Sequence, residues 1–176
     1  MALVEERLLP ALTQVGDAYE AGTLFLPQLL MSAEAAQGAF ALVQRALGEH
    51  SAAVRHQGRI ALATVEGDIH DIGKNIVKVL LESYGFEVVD LGKNVKPERV
   101  LAAVRAEKLH MVGLSALMTT TVPAMERTIA LLRREAPECR IVVGGAVLTP
   151  ELAAAIGAHA YARDAMDTVR FARANA

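Results

Sequence analysis

Cysteine occurs once in the 176 residues, at Cys139, which excludes an intramolecular disulfide framework and a cysteine-rich metal site. Basic residues are not in excess. Eighteen Lys and Arg stand against 20 Asp and Glu, a net charge of −2, so no positive field draws a polyanion to the surface. General nucleic-acid binding is therefore not expected. No uncharged apolar run is long enough to span a bilayer. The opening MALVEERLLP has early acids where a signal peptide has a basic segment, an apolar stretch and a cleavage site. Internal repeats and low-complexity tracts are also missing. The expected setting is a reducing cytoplasm, with neither membrane nor nucleic acid as partner. Apolar residues are plentiful: 53% hydrophobic against 22% charged supports a sizeable core in one domain plus a small appendage.

Two textures divide the chain. Residues 1–50 are rich in Ala, Leu, Glu and Gln and read as helix. A first helix ends near Gly22, with Pro10 in its first turn or at a kink. A second runs over 27–47 from Pro27, and Leu29, Leu30, Ala33, Ala36, Phe40, Val43 and Leu47 recur at spacings of three and four on one face. Residues 48–58, polar and carrying two glycines, read as a linker, with 51–58 its core. From Arg59 short β-rich runs (59–65, 86–92, 111–117, 140–146 and 158–162) alternate with helical patterns (73–84, 97–108, 122–136, 150–156 and 164–174). Nearly continuous apolar strands alternating with amphipathic helices predict a parallel sheet covered on both faces. The fold class expected for 59–176 is α/β, a flavodoxin-like (Rossmann-like) doubly wound sheet of five strands. A small all-helical domain precedes it, and ligands bind beyond the carboxyl ends of the strands.

The densest chemistry follows the first strand. In EGDIHDIGKNIV, residues 66–77, three acids (Glu66, Asp68, Asp71), His70, Lys74 and two glycines crowd together where a helix opens. Asp68 and Asp71 would suit Mg²⁺ in a receiver-like site, but the third strand ends in Ser115 where that site needs an acid. Gly67 and Gly73 lack the spacing of a phosphate-binding loop, and zinc would need more His or Cys nearby. A plain alternative is that Asp68 and Asp71 cap the helix and His70 is a solvated loop residue. Spacing argues for more. Two residues apart in an extended loop, Asp68 and His70 can point the same way. The carboxylate then fixes one ring nitrogen and leaves the other as an oriented acceptor, as a single axial metal ligand requires. Gly73 admits a large ligand close to the backbone.

GDIHDIGKNIV resembles the DxHxxG signature of cobalamin-binding domains, in the longer form of methionine synthase and the corrinoid proteins of methyltransferase systems. Ser115-Ala116-Leu117, in GLSALMTTT, is similar to that family's SxL element, and Gly144-Gly145, in VVGGA, to its GG element. The resemblance implies that cobalamin binds with its own base displaced, and that His70 becomes the lower ligand of cobalt with Asp68 as its partner. Thr121 matches the hydroxyl of a His–Asp–hydroxyl relay, with Thr in place of Ser. Gly67, Asp71, Ile72 and Gly73 belong to the same cofactor-binding loop. Ser115 and Thr119 match positions that face the nucleotide tail, Leu117 of the SxL element is a further cofactor-binding position, and Gly113, Gly144 and Gly145 let a flat base pack on backbone.

The segment VGDAYEAGTLFLPQLLMSAEA is similar to the helical cap over the upper face of the corrin, which places Tyr19 and Leu26, with Phe25 beside them, over a cobalt-bound methyl group. The implied function is a methyl carrier using methylcobalamin. It would shuttle a methyl group between a donor and an acceptor thiol such as homocysteine, or another acceptor, and depend on partner methyltransferase domains because no substrate barrel is present. An adenosylcobalamin mutase subunit or a cobalamin sensor are the alternatives. About 50 residues supply only part of a four-helix cap. The apolar stripe of the second helix is therefore expected to be left uncovered, leading either to self-association through the N-terminal helices or to a mobile cap.

Overall fold

The computed structural model describes residues 4–47 and 57–176. Most of the linker, 48–56, and the side chains of Phe40 and Leu47 lie outside the described residues. The helical part opens with a π-helical turn, Val4–Leu8, continuing into α1, Leu9–Glu20, with Pro10 in the first turn of α1. The wide turn falls just before the residue whose nitrogen has no hydrogen to donate. Helix α2, Leu26–Leu47, carries Pro27 in its first turn.

Five parallel strands follow: β1 Arg59–Thr64, β2 Glu87–Asp90, β3 Met111–Ser115, β4 Arg140–Gly144 and β5 Ala160–Ala162. Between and after them run α3 Ile72–Ser83, α4 Pro97–Ala106, α5 Val122–Glu135, α6 Pro150–Ala155 and α7 Ala165–Ala174. The strand order β2-β1-β3-β4-β5 is the expected doubly wound arrangement, with its switch point between β1 and β3. Ladder-like pairing already begins in the proposed linker, where Gln57 N–H donates to Gly85 O at 2.9 Å. Among the described residues no helix is long and apolar enough to cross a membrane.

Strand alternation divides the core. Ala61, Ala63, Val112, Leu114, Ile141 and Val143 face α4, α5 and α6, while Ile60, Leu62 and Met111 face α3 and α7. The second layer continues into the helical cap. Leu12, Leu29, Ala33 and Ala36 are buried in one cluster with Leu80, Leu81, Tyr84 and Met166. This corrects the expectation of an uncovered α2 stripe. Leu29 is 1% exposed, and Leu30 and Val43 are half-buried, because α3 and α1 pack against the stripe. Directional bonds fix the contact: Tyr84 Oη donates to Leu12 O at 2.6 Å, and Gln37 Nε2 to Val79 O at 3.2 Å. Arg170 of α7 pairs with Glu20 at the end of α1. With Leu29, Ala33 and Ala36 already buried, the described part of the stripe leaves no open apolar face through which the N-terminal helices would self-associate. Apolar side chains on the other side of the cap do meet solvent, among them Phe25, Met31 and Leu42.

Candidate functional site

β1 ends in a four-residue turn closed by Asp68 N–H to Val65 O at 3.0 Å. Gly67 takes φ +83° at its third position, the sign and place that type II turns reserve for glycine. The turn drops Asp68 beneath the loop, where its side chain is 0% exposed. Its carboxylate is met entirely by donors. Oδ1 accepts from His70 N at 3.0 Å and His70 Nδ1 at 2.8 Å. Oδ2 accepts from Leu117 N at 2.7 Å and Thr121 Oγ1 at 3.0 Å, with Met118 N farther off at 3.4 Å. Burial alone would push this carboxyl toward its neutral form. The bonds from His70 N, Leu117 N, the His70 ring and Thr121 outweigh it and hold the group well below the usual carboxylate range.

An ionised Asp68 only accepts, so the shared proton sits on His70 Nδ1 and the lone pair on Nε2. Among the described residues nothing pairs with Nε2, and the side chain is 45% exposed on the wall of a cavity of about 700 Å³. That volume lies within the range of small-molecule and cofactor sites. The Thr121 hydroxyl has one proton and two acceptors, Asp68 Oδ2 and Met118 O, the latter at 2.7 Å. It can therefore reorient when charge at Asp68 changes.

The cavity lies beyond the carboxyl ends of the strands. The sequence-nominated residues His70, Asp71, Ile72, Gly73, Gly113, Ser115, Leu117, Gly144 and Gly145 line it, as do Tyr19 and Leu26 of the cap. Asp68 and Thr121 sit behind His70 and do not line it, nor does Gly67, whose part is the turn. Thr119 also lies off the cavity wall, exposed in a short 3₁₀ turn. Ser115 Oγ pairs with Thr64 Oγ1 at 3.0 Å and so ties the ends of β3 and β1. Asp71 stands at the N-cap of α3 without a capping side-chain bond, and Asp68 is committed elsewhere, so the plain helix-capping alternative fails for both.

Several lining residues had not been singled out. Leu62, Ile76, Val77 and Val142 make the walls apolar, and Tyr161 and Arg163 contribute at the end of β5. The rule that ligands sit at strand ends pointed to the last pair; nothing in the sequence marked the first four as more than core. Lys74 lines the cavity as well, but its ammonium is turned into a pair with Asp90 Oδ1 at 2.6 Å and is 3% exposed.

A planar, largely apolar cofactor suits this surface. Ile69, Ile72 and Leu117 are 62%, 77% and 43% exposed around His70, an apolar rim that a flat ligand would cover. A Cβ built on Gly73 meets nothing within 4 Å, so the room left by this glycine is not taken up by protein. At Gly145, with φ +133°, a Cβ would lie 1.9 Å from Ala116 O, so here glycine serves the fold itself. The donor set is one imidazole with a fixed tautomer, which suits a metal whose other ligands come with a macrocycle.

Comparison with known proteins agrees with this geometry. A B12 binding domain model matches residues 58–170, and a second B12 binding domain model matches residues 1–44. The chain is 39% identical to dimethylamine corrinoid protein 1 of Methanosarcina acetivorans over 97% of its own length and 81% of the relative's. It is 35% identical to trimethylamine corrinoid protein 1 of Methanosarcina mazei over 95% of its own length and 78% of the relative's. Among solved structures it is similar to a cobalamin-binding protein from Desulfitobacterium hafniense, with TM-score 0.82 and 30% identity, covering 96% of this chain and 79% of that one. It is also similar to the methanol:cobalamin methyltransferase complex of Methanosarcina barkeri, with TM-score 0.82 and 34% identity, covering 98% of this chain and 66% of that one. With a helical cap, a doubly wound sheet and a buried aspartate aiming a histidine into the cavity at the strand ends, the chain belongs to the B12-binding family.

Proposed function

We propose that this chain is a corrinoid-binding methyl carrier, holding cobalamin with His70 as the lower axial ligand and serving partner methyltransferases. The observation that carries the reading is the Asp68–His70 pair: a fully buried carboxylate engages Nδ1 of a half-exposed imidazole that lines the cavity, and among the described residues nothing pairs with Nε2. When bound, the corrinoid supplies a cobalt able to accept and release a methyl group. His70 orients that centre. Asp68 holds the imidazole in one tautomer and orientation, and Thr121 adjusts to the charge on Asp68. Gly113 and Gly144 offer a smooth wall for a nucleotide tail, and Ile69, Ile72 and Leu117 exclude water beneath the macrocycle.

Tyr19 and Leu26 reach the same cavity from the cap and would shield the upper face. The cap also favours methyl transfer over an adenosylcobalamin mutase, whose cobalamin subunits do not usually carry a cap of this kind. The relatives' names point to donors among methylamines or methanol; for the acceptor we infer a thiol, homocysteine being one to assay. A cytoplasmic setting belongs to the same reading.

The test is spectroscopic. The chain loaded with hydroxocobalamin and reduced to Co(II) should show nitrogen coupling in its EPR spectrum that responds to ¹⁵N-histidine labelling. His70→Ala should lose that coupling and keep its fold, since an exposed loop ligand contributes little packing. Coupling indifferent to both changes would remove His70 from the cobalt.

A further inference from the structure

The loop between β2 and α4, residues 91–96, does not line the cavity, yet it grips the segment that carries Asp68. Its backbone is fixed on both sides of Asn94. Thr64 N–H donates to Gly92 O at 3.0 Å, Val95 N–H donates to Thr64 O at 3.0 Å, and Val95 forms a parallel bridge with Val65. Asp90 Oδ1 holds Gly92 N–H at 2.9 Å. Between these anchors Asn94 takes φ +53°, the left-handed region that Asn enters more readily than most side chains. In that conformation it reaches one segment twice. Oδ1 accepts from Gly67 N–H at 2.8 Å, and its own N–H donates to Asp68 O at 3.0 Å.

We propose that Asn94 is a positioning residue for the axial histidine, its two bonds to Gly67 and Asp68 setting the direction in which the Asp68 carboxylate, and through it the His70 ring, points. The inference rests on the assignment of His70 as axial ligand. Gly67 brings no side chain of its own to hold the turn, so the hinge before Asp68 would otherwise be the loosest part of the assembly. With Asn94 in place, Asp68 has its N–H, its C=O and both carboxylate oxygens engaged. A small rotation of this backbone would swing the carboxylate and turn the imidazole away from the cobalt. Outer partners of a metal-bound histidine act through such orientation, and their loss commonly weakens the metal site roughly tenfold or more.

The full chain loaded with hydroxocobalamin and reduced to Co(II) reports the effect at fixed neutral pH. EPR with ¹⁵N-histidine labelling separates the histidine-coupled species from one that is uncoupled or coupled to the cofactor's own base. Asn94→Gly tolerates the left-handed backbone and keeps the N–H bond to Asp68 O while removing the side chain that carries Oδ1, so the fold is retained; Asn94→Asp keeps an acceptor in the same place. The histidine-on to histidine-off ratio should fall roughly tenfold in Asn94→Gly and return in Asn94→Asp. A wild-type ratio in Asn94→Gly, with the ¹⁵N-histidine-sensitive coupling still abolished by His70→Ala, overturns the role of Asn94 and leaves the axial assignment standing. A ratio lowered in Asn94→Gly but not restored by Asn94→Asp also overturns it, because the missing acceptor is then not the cause. Coupling in the wild-type chain that does not respond to ¹⁵N-histidine labelling defeats the axial assignment itself, and the proposal with it.

Discussion

Replacing Asp68 by Asn tests the centre of the site without changing its shape. The carboxylate accepts from His70 N and Nδ1 on one oxygen, and from Leu117 N and Thr121 Oγ1 on the other. An amide has one oxygen. If its NH₂ faces Leu117, a partly buried backbone N–H loses its acceptor and meets another donor; Thr121 can rotate, because Met118 O also accepts its proton. If the NH₂ faces His70, the His70 N–H is stranded, and the ring must shift its proton to Nε2, which ends its use as a ligand. Either way one donor goes unpaired, about 1–3 kcal/mol, and the remaining bonds lose their charge assistance, about 1 kcal/mol more. Asp68→Asn should therefore destabilise the cofactor-free chain by about 2–4 kcal/mol at pH 7, measured by urea denaturation.

The pH dependence of that difference carries a sign. The folded Asp68 carboxyl lies below its unfolded value, so its contribution is complete above about pH 4–5 and is lost as pH falls toward the folded value. Between pH 5 and pH 3 the gap between wild type and Asp68→Asn should narrow by about 1.2 kcal/mol, the linkage expected for an unfolded carboxyl near 3.9. A difference under about 0.5 kcal/mol at pH 7, or a gap that stays constant down to pH 3, would refute the reasoning.

Two glycines should respond in opposite ways. Gly73→Ala should leave the cofactor-free chain as stable or up to about 1 kcal/mol more so, because it sits in a helix with open space around it, yet weaken cobalamin binding, read by absorbance titration. Gly145→Ala should destabilise the fold itself, because its Cβ would strike Ala116 O. At the sheet edge His159 Nδ1 accepts from Ile141 N–H at 3.0 Å, and burial with the nearby Arg133 and Arg140 lowers its pKa below the ordinary 6.5. Its contribution to stability is present above about pH 6.5 and is lost as pH falls below that, so NMR titration should give His159 a midpoint under 6.5. Leu29→Ala should cost about 2–5 kcal/mol and speed amide exchange in α1 and α2 before the central strands; equal exchange throughout would show that the cap is not a separate unit of stability.

The sheet was legible because its evidence is local. Runs such as RIALAT and RIVVG are apolar nearly throughout, and helices between them repeat at three and four, so a covered parallel sheet follows. The cap was legible as helices but not as a docked layer. Its anchoring bond joins Tyr84 to Leu12, 72 residues apart, and no periodicity in α2 reports which surface will cover Leu29 and Ala33. The site divides in the same way. Asp68 and His70 lie two apart in one loop, so their pairing could be read from spacing. Thr121 came only from resemblance, and Asn94 carried no signal, being an exposed polar residue 27 positions from the Gly67 it holds. Lys74 stood out as a charge beside the histidine; the structure turns it away, into its pair with Asp90.

Burial is distributed unevenly over the site, and this suits its use. The His70 side chain is accessible while the Asp68 carboxylate that holds its ring is fully enclosed. Desolvating Asp68 is unfavourable, and the donors from His70, Leu117 and Thr121 offset it within the cofactor-free fold. The ordering is thus complete before a corrinoid arrives. Binding need not fix the tautomer or the carboxylate; it has only to strip water from a half-exposed imidazole and cover an apolar rim, and both steps follow from the cofactor's own shape. Had the histidine been the buried member and the aspartate the exposed one, the lone pair would be shielded and its partner left to fluctuate in water. Placing Asp68 after a glycine turn at the end of β1, and its donors at the end of β3, puts the enclosed half of the pair at the switch point of the sheet, where the two strands lie side by side and the cavity opens above them.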